Sequence, residues 1–202
     1  MRISPKAQAG AAAVFAVLLS SSLSITNASA QGFFPWEWNL GGTAQTSDGP
    51  NRQVMDFPQA VAPGQIIVSF TDRRLYYVPA RGKAIAYPIA TPRRQDRWQG
   101  VLHVSRKAAN PSWTPTSEML RENPSLPSHV PGGHPQNPLG SHALYLGSTL
   151  YRIHGTDAPW TIGQPVSKGC VRMHNADVND LYRRVGVGTK VTVTWQSFYA
   201  NS

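Results

Sequence analysis

The sequence predicts a mainly β domain (β-rich α+β), on three observations. Short β-branched runs recur between turn residues: Gln65-Ile-Ile-Val-Ser-Phe70, Leu75-Tyr-Tyr-Val78, Lys83-Ala-Ile-Ala-Tyr87, Gly100-Val-Leu-His-Val-Ser105, His142-Ala-Leu-Tyr-Leu146 and Lys190-Val-Thr-Val-Thr-Trp195. One stretch carries an extended helical period, with Val178, Leu181, Tyr182 and Val185 at i, i+3, i+4 and i+7. There is no βαβ alternation and no G-x-G-x-x-G, which excludes a nucleotide-binding parallel sheet.

Taken in order, residues 1–30 read as a secretory signal. Arg2 and Lys6 form a positive start, Ala9 to Leu19 is apolar, and Ala28-Ser29-Ala30 is an A-x-A cleavage site that would leave Gln31 first. The apolar run is shorter than the roughly 20 residues a spanning helix needs, and no later stretch suits a membrane span. The expected location is therefore across the cytoplasmic membrane, in the periplasm or cell wall. Residues 31–63 lack sustained periodicity and read as an N-terminal arm or linker. A catalytic domain is expected over 64–195 and a tail over 196–202.

Within that domain, the runs from Gln65 to Tyr87 predict an antiparallel meander. Residues 106–141 hold seven prolines and predict a long loop, with at most a helical turn or two at Thr116–Glu122 capped by Thr116 or Ser117. His142–Leu146 and Thr149–His154 predict a hairpin around Gly147-Ser148. Gly155 to Lys168 reads as loop, and Asn175 as the cap of a helix ending at Gly186.

The net charge is +9, of which Arg2 and Lys6 supply two, leaving +7 beyond residue 30. A basic exported chain suits an anionic polymer. The bases are scattered as pairs such as Arg73-Arg74 and Arg183-Arg184, without an aromatic-interleaved stripe, so nucleic acid is not an expected partner.

One cysteine excludes an internal disulfide. Cys170 follows Gly169 in Ser167-Lys-Gly-Cys-Val-Arg172, and His154 ends a strand in Ile153-His-Gly-Thr156. Acyl transfer by a thiol needs a base, a group that orients the base, and N–H donors for the oxyanion. Cys170 is the candidate nucleophile and His154 the base, oriented by the Gly155 carbonyl. The N–H groups of Gly169 and Cys170 are the candidate oxyanion hole, and the small Gly169 would admit a substrate carbonyl. Arg172 would bind a substrate carboxylate or brace the loop. No cofactor or metal is expected. His129, His134, His142 and His154 have no zinc-motif spacing.

These segments closely resemble the catalytic region of the L,D-transpeptidase (YkuD-like) family. The likeness also takes in Trp113-Thr-Pro-Thr116, Asn137-Pro-Leu-Gly140, Ala143-Leu-Tyr-Leu146 and the Asn175–Val178 helix start. The resemblance implies a β-sandwich with one short helix after the catalytic Cys and a long Pro-rich loop. It implies a thioester formed on a peptidoglycan tetrapeptide stem, release of D-Ala, and transfer to an amine. The product is then a 3→3 cross-link, or attachment of an envelope protein. Water as acceptor would give L,D-carboxypeptidase activity, and a cell-wall cysteine peptidase that only hydrolyses is the other reading. It further implies that Ser167 and Arg172 shape the site and hold substrate. Lys168 stands where many members have His, and would depress the thiol pKa or contact the anionic stem. Tyr145 and Trp160 are candidate groove residues.

Overall fold

The computed structural model describes residues 52–199. The signal segment and most of the arm lie outside them. In chain order the described elements are β1 (Gln53–Asp56), β2 (Ile66–Ser69), β3 (Arg74–Ala80), β4 (Lys83–Pro88), β5 (Thr91–Pro92), β6 (Gly100–Ala109), α1 (Ser117–Glu122), β7 (His142–Leu146), β8 (Arg152–His154), β9 (Pro165–Ser167), β10 (Val171–Arg172), α2 (Asn175–Arg184) and β11 (Lys190–Thr194). Nine strands form one sheet in the order β1-β4-β3-β2-β11-β6-β7-β8-β10, and β5 pairs with β9 alone. The fold is mostly β, as the sequence predicts.

β6 gives the sheet its shape. Its first half pairs with β11 and its second half with β7, and the register shifts between Val104 and Arg106. Such an irregularity bends a strand and increases its twist, so β6 passes from one half of the sheet to the other. The main core draws on both halves. Ile66, Val68, Leu75 and Tyr87 meet Leu144, Leu146, Ile153 and Val171, with Val178, Leu181 and Val185 of α2 and its C-cap completing it.

β2 is buried at all four positions because both its faces are covered. Ile66 and Val68 point into the main core. Ile67 joins a second cluster with Phe57, Tyr76, Val78, Ala84, Ala86 and Phe198. Fully burying such side chains contributes about 1.5–3 kcal/mol each. That second cluster brings two unforeseen segments into the fold. β1 pairs with β4 from within the stretch read as a linker, and Phe198 comes from the stretch read as a tail.

The helices follow their caps. Thr116 Oγ1 accepts from the Met119 N–H at 3.2 Å, which starts α1. α2 begins at Asn175 with His174, not Asn175, in the cap position, and ends at Arg184. The loop over 110–141 is cross-tied. Trp113 bridges Val130. The buried Asn137 donates from Nδ2 to the carbonyls of Pro111 (2.8 Å) and Pro131 (3.0 Å). Among the described residues, no helix is long and apolar enough to cross a membrane.

Candidate active site

Two short strands bring the candidate residues together. β10 pairs with β8 in parallel, with Val171 opposite Ile153 and Arg172 opposite His154. Side chains alternate across a strand. Val171 and Ile153 enter the core, so Arg172, Arg152 and His154 fall on the opposite face, and Cys170 immediately precedes β10. β10 is held on its other flank by Ala90, through paired backbone bonds with Arg172 of 3.0 and 3.1 Å. The Met173 N–H donates to the His154 carbonyl at 2.8 Å.

His154 is only 4% exposed. Its Nδ1 lies 2.6 Å from the Gly155 carbonyl oxygen. A carbonyl only accepts, so Nδ1 carries the proton and the neutral ring presents a bare Nε2. Burial, with Arg172 as the next cause, pushes this imidazole down to about 3. Cys170 is a free thiol whose Sγ donates to the Leu150 carbonyl at 3.6 Å. Burial pushes the thiol up, and the nearby Arg152 and Arg172 oppose it. At neutral pH the resting pair is thus thiol and imidazole, both uncharged.

The loop that carries Cys170 is held from several sides. Ser167 is buried and its hydroxyl donates to the Cys170 carbonyl. Trp98 Nε1 donates to the Gly169 carbonyl at 2.9 Å. The Trp98 ring stacks on Tyr151, with centroids 4.5 Å apart and planes 6° from parallel. Gly169 adopts φ +104°, and a Cβ there would stand 2.5 Å from Tyr151 Cε1. Glycine is required at 169 by this backbone and this ring, a constraint that reading the sequence as leaving space for substrate did not include.

Asn175 fastens the segment after His154. Its Oδ1 accepts from the N–H groups of Ser141 (3.0 Å) and Thr156 (3.1 Å), and its Nδ2 donates to the Thr156 carbonyl (2.9 Å). A Cβ on Gly155 would lie 2.1 Å from that oxygen. Gly155 therefore leaves room for the clamp that fixes the carbonyl facing His154.

Lys168 points away from chemistry at the thiol. Its ammonium pairs with Glu118 at 3.3 Å and with Glu122, both on α1. These pairs join the Pro-rich segment to the nucleophile loop. A cleft of about 550 Å3 opens beside them, lined by Gln95, Arg97, Glu118, Thr149, Leu150, Tyr151 and Lys168 among others. It reaches Cys170 through Leu150, whose carbonyl holds the thiol, rather than being lined by Cys170 or His154. Tyr145 lies between two cations, with Arg106 Cζ 3.6 Å and Arg152 Cζ 5.2 Å from its ring centroid. Trp160 sits on a 3-10 turn over Pro159–Thr161 and is 55% exposed. Of the other histidines, His142 packs on Tyr182 and His129 meets Thr114. Among the described residues no three His, Cys, Asp or Glu side chains cluster as a metal site needs.

Sequence reasoning missed Arg152, Trp98, Tyr151 and the two glutamates of α1. Arg152 had a signal: it stands two residues before His154 on a strand, and so on the same face. The others are long-range contacts with no local pattern.

The fold and this pair of strands make a mostly β domain that carries a thiol and a buried imidazole at adjoining strands, and the comparisons say which family such a domain belongs to. The sequence model of the YkuD family, the L,D-transpeptidase catalytic domain, matches residues 63–193. The chain belongs to this family. It is 40% identical over 148 residues to the probable L,D-transpeptidase ErfK/SrfK of Escherichia coli, covering 70% of this chain and 47% of that protein. It is 41% identical over 146 residues to the probable L,D-transpeptidase YbiS of Escherichia coli, covering 69% and 47%. The chain thus spans about half the length of these curated relatives. The NMR structure of the E. faecium L,D-transpeptidase catalytic domain acylated by ertapenem shares the fold. Its TM-score is 0.50 at 20% identity, over 66% of this chain and 98% of that one.

Proposed function

We propose that this chain is an exported peptidoglycan L,D-transpeptidase working through an acyl-enzyme. The observation that supports the reading is the parallel β8–β10 register, which sets Arg172 opposite His154 and so brings Cys170, the residue before β10, to the strand that ends in His154. As Cys170 Sγ attacks the carbonyl of the third stem residue, its proton passes to His154 Nε2. The Gly155 carbonyl keeps the ring oriented. The Gly169 and Cys170 N–H groups take the oxyanion. The C–N bond to D-Ala then breaks, and His154 returns the proton to the departing amine. An amine of a second stem, or of an envelope protein, attacks the thioester and gives its proton to His154, which passes it to the departing sulfur and so restores the thiol and the neutral imidazole. Water in its place would yield the L,D-carboxypeptidase product.

The resting pair being neutral, proton transfer and attack are coupled, and the ion pair need not exist beforehand. Arg172 flanks the pair, opposite His154, and its buried Nε has no hydrogen-bond partner, which suits a substrate bearing a carboxylate. Ser167 shapes the loop. Lys168, Tyr145 and Trp160 border the approach to it.

The test is exchange of the terminal D-Ala on a disaccharide tetrapeptide, with products resolved by mass. Cys170→Ala is expected to fold and to bind sacculi but to lose exchange and cross-linking alike. Continued exchange by Cys170→Ala would sink the mechanism.

A further inference from the structure

Arg152 is the one charged side chain on the nucleophile's face that family likeness and motif reading leave without a task. The ladder that sets Arg172 against His154 places Arg152 alongside Cys170, one step earlier. Both groups converge on a single atom. Arg152 Nη1 donates to the Leu150 carbonyl at 3.1 Å, and Cys170 Sγ donates to the same oxygen at 3.6 Å. On its far side the guanidinium lies over Tyr145, its Cζ 5.2 Å from the ring centroid, opposite Tyr145 in the β7–β8 register. Arg152 is half-buried, and its Nε is buried with no hydrogen-bond partner. No carboxylate among the described residues pairs with it.

A half-buried cation with a free N–H and no counter-ion is costly unless something on that face takes up its charge. The other charged and titratable groups facing the sulfur do not replace it. His154 of β8 is held neutral by burial. Arg172 of β10 is half-buried like Arg152, but it faces the Asp157 carboxylate as well as the thiol. Lys168 is taken up by Glu118 and Glu122.

We propose that Arg152 is a positioning residue for the nucleophile: its guanidinium, anchored on Leu150 and Tyr145, is the principal counter-ion of the Cys170 thiolate. When Sγ ionises it loses its proton and becomes an acceptor, and the Leu150 carbonyl can no longer hold it. The sulfur then turns to the free Nε–H of Arg152. The cation opposes the burial that disfavours the charged sulfur, and Arg152 is the first of the lowering causes acting on it. The proposal rests on Cys170 being the nucleophile, yet it is tested without any wall substrate.

The experiment is a pH titration of thiolate absorbance in the full chain, taken as the difference from Cys170→Ala, which isolates the single thiol. Arg152→Met and Arg152→Gln are expected to move the midpoint up by about one pH unit or more, the scale of a lost neighbouring charge. Arg152→Lys is expected to stay near wild type. Arg106→Met, which removes the cation on the other side of Tyr145, is expected to leave the midpoint in place. Midpoints for Arg152→Met and Arg152→Gln that overlay wild type would overturn the proposal. So would an equal shift in Arg106→Met, since the effect would then be diffuse. Loss of D-Ala exchange in Arg152→Met with an unmoved thiol midpoint would also overturn it, by assigning Arg152 to the substrate. Failure of the function itself has a different signature, namely exchange surviving in Cys170→Ala.

Discussion

At the β1–β4–β3–β2 end of the sheet, a half-buried carboxylate is fully matched, whereas at the β7–β8–β10 end two guanidiniums are left short of partners. Asp72, at the β2–β3 turn, accepts from Tyr76 Oη (2.8 Å), Ser197 Oγ (2.5 Å) and the Phe198 N–H (2.8 Å). Burial works against its charge, but these bonds outweigh it and hold the acid below the usual carboxylate range. Around it Phe57, Tyr76 and Phe198 form a ring cluster with centroids 4.9 to 5.5 Å apart. At the other end, the Nε atoms of Arg152 and Arg172 are buried without partners, and His154 is buried and neutral. Such orphans are uncommon in native structures. Nη1 of Arg74 on β3 is another, so what sets the β7–β8–β10 end apart is two of them gathered beside a buried, neutral imidazole.

The largest expected effect separates the two ends by activity. His154→Gln is expected to lower kcat/KM for D-Ala exchange by about 10²–10⁴-fold, the range for a lost general base. It should also change acid stability in a specific direction. The folded-state pKa of His154 lies below its unfolded value of about 6.5. The unfolded chain therefore binds the proton first as pH falls, and wild-type stability drops from about pH 6.5 toward 3, with a slope approaching 1.4 kcal/mol per unit from this one group. Urea unfolding between pH 4 and 7 should show that slope flattened in His154→Gln. An unchanged slope would mean that the imidazole is not held neutral by the fold.

The opposite end is expected to respond in the opposite way. Phe198 is 8% exposed, and Phe198→Ala is expected to cost about 3–5 kcal/mol in unfolding free energy. D-Ala exchange by the fraction still folded should be unaltered. A fall in turnover of that folded fraction would break the division between the ends.

How far the sequence revealed each end follows from how local its signals are. β2, β3 and β4 were legible because β-branched residues cluster between turns, and α2 because four apolar residues keep helical spacing. The main catalytic candidates were legible as a motif. β10 was not, since two residues carry no period, yet its parallel pairing with β8 aligns the site. Phe57 and Phe198 were hidden because they lie in stretches too short and polar to read as core, and only the fold brings them onto Tyr76. Asn175 looked like a helix cap because Asn favours that position, but its amide is drawn to Ser141 and Thr156 by loops far away in sequence. Lys168 looked like an aid to the thiol because it stands where many family members have His, although its ammonium turns to α1.

That last contact supplies the smallest expected effect and the sharpest check on the comparison. Lys168 joins the Pro-rich segment to the nucleophile loop, and its side chain is 18% exposed, against 61% for Glu118 and 51% for Glu122. Its pull holds Glu122 below the usual carboxylate range, so that pairing is complete at neutral pH and fades only as Glu122 protonates in acid. Exposed pairs of this kind contribute little to global stability and are screened by salt. Glu118→Gln combined with Glu122→Gln is therefore expected to leave the thermal midpoint nearly unchanged. Limited proteolysis within 110–141 should become faster, and the same acceleration should appear in the wild type at high salt. If the double variant instead lost as much stability as Phe198→Ala, α1 would be a structural support of the fold, and the active-site end could no longer be described as the part the domain can loosen without unfolding.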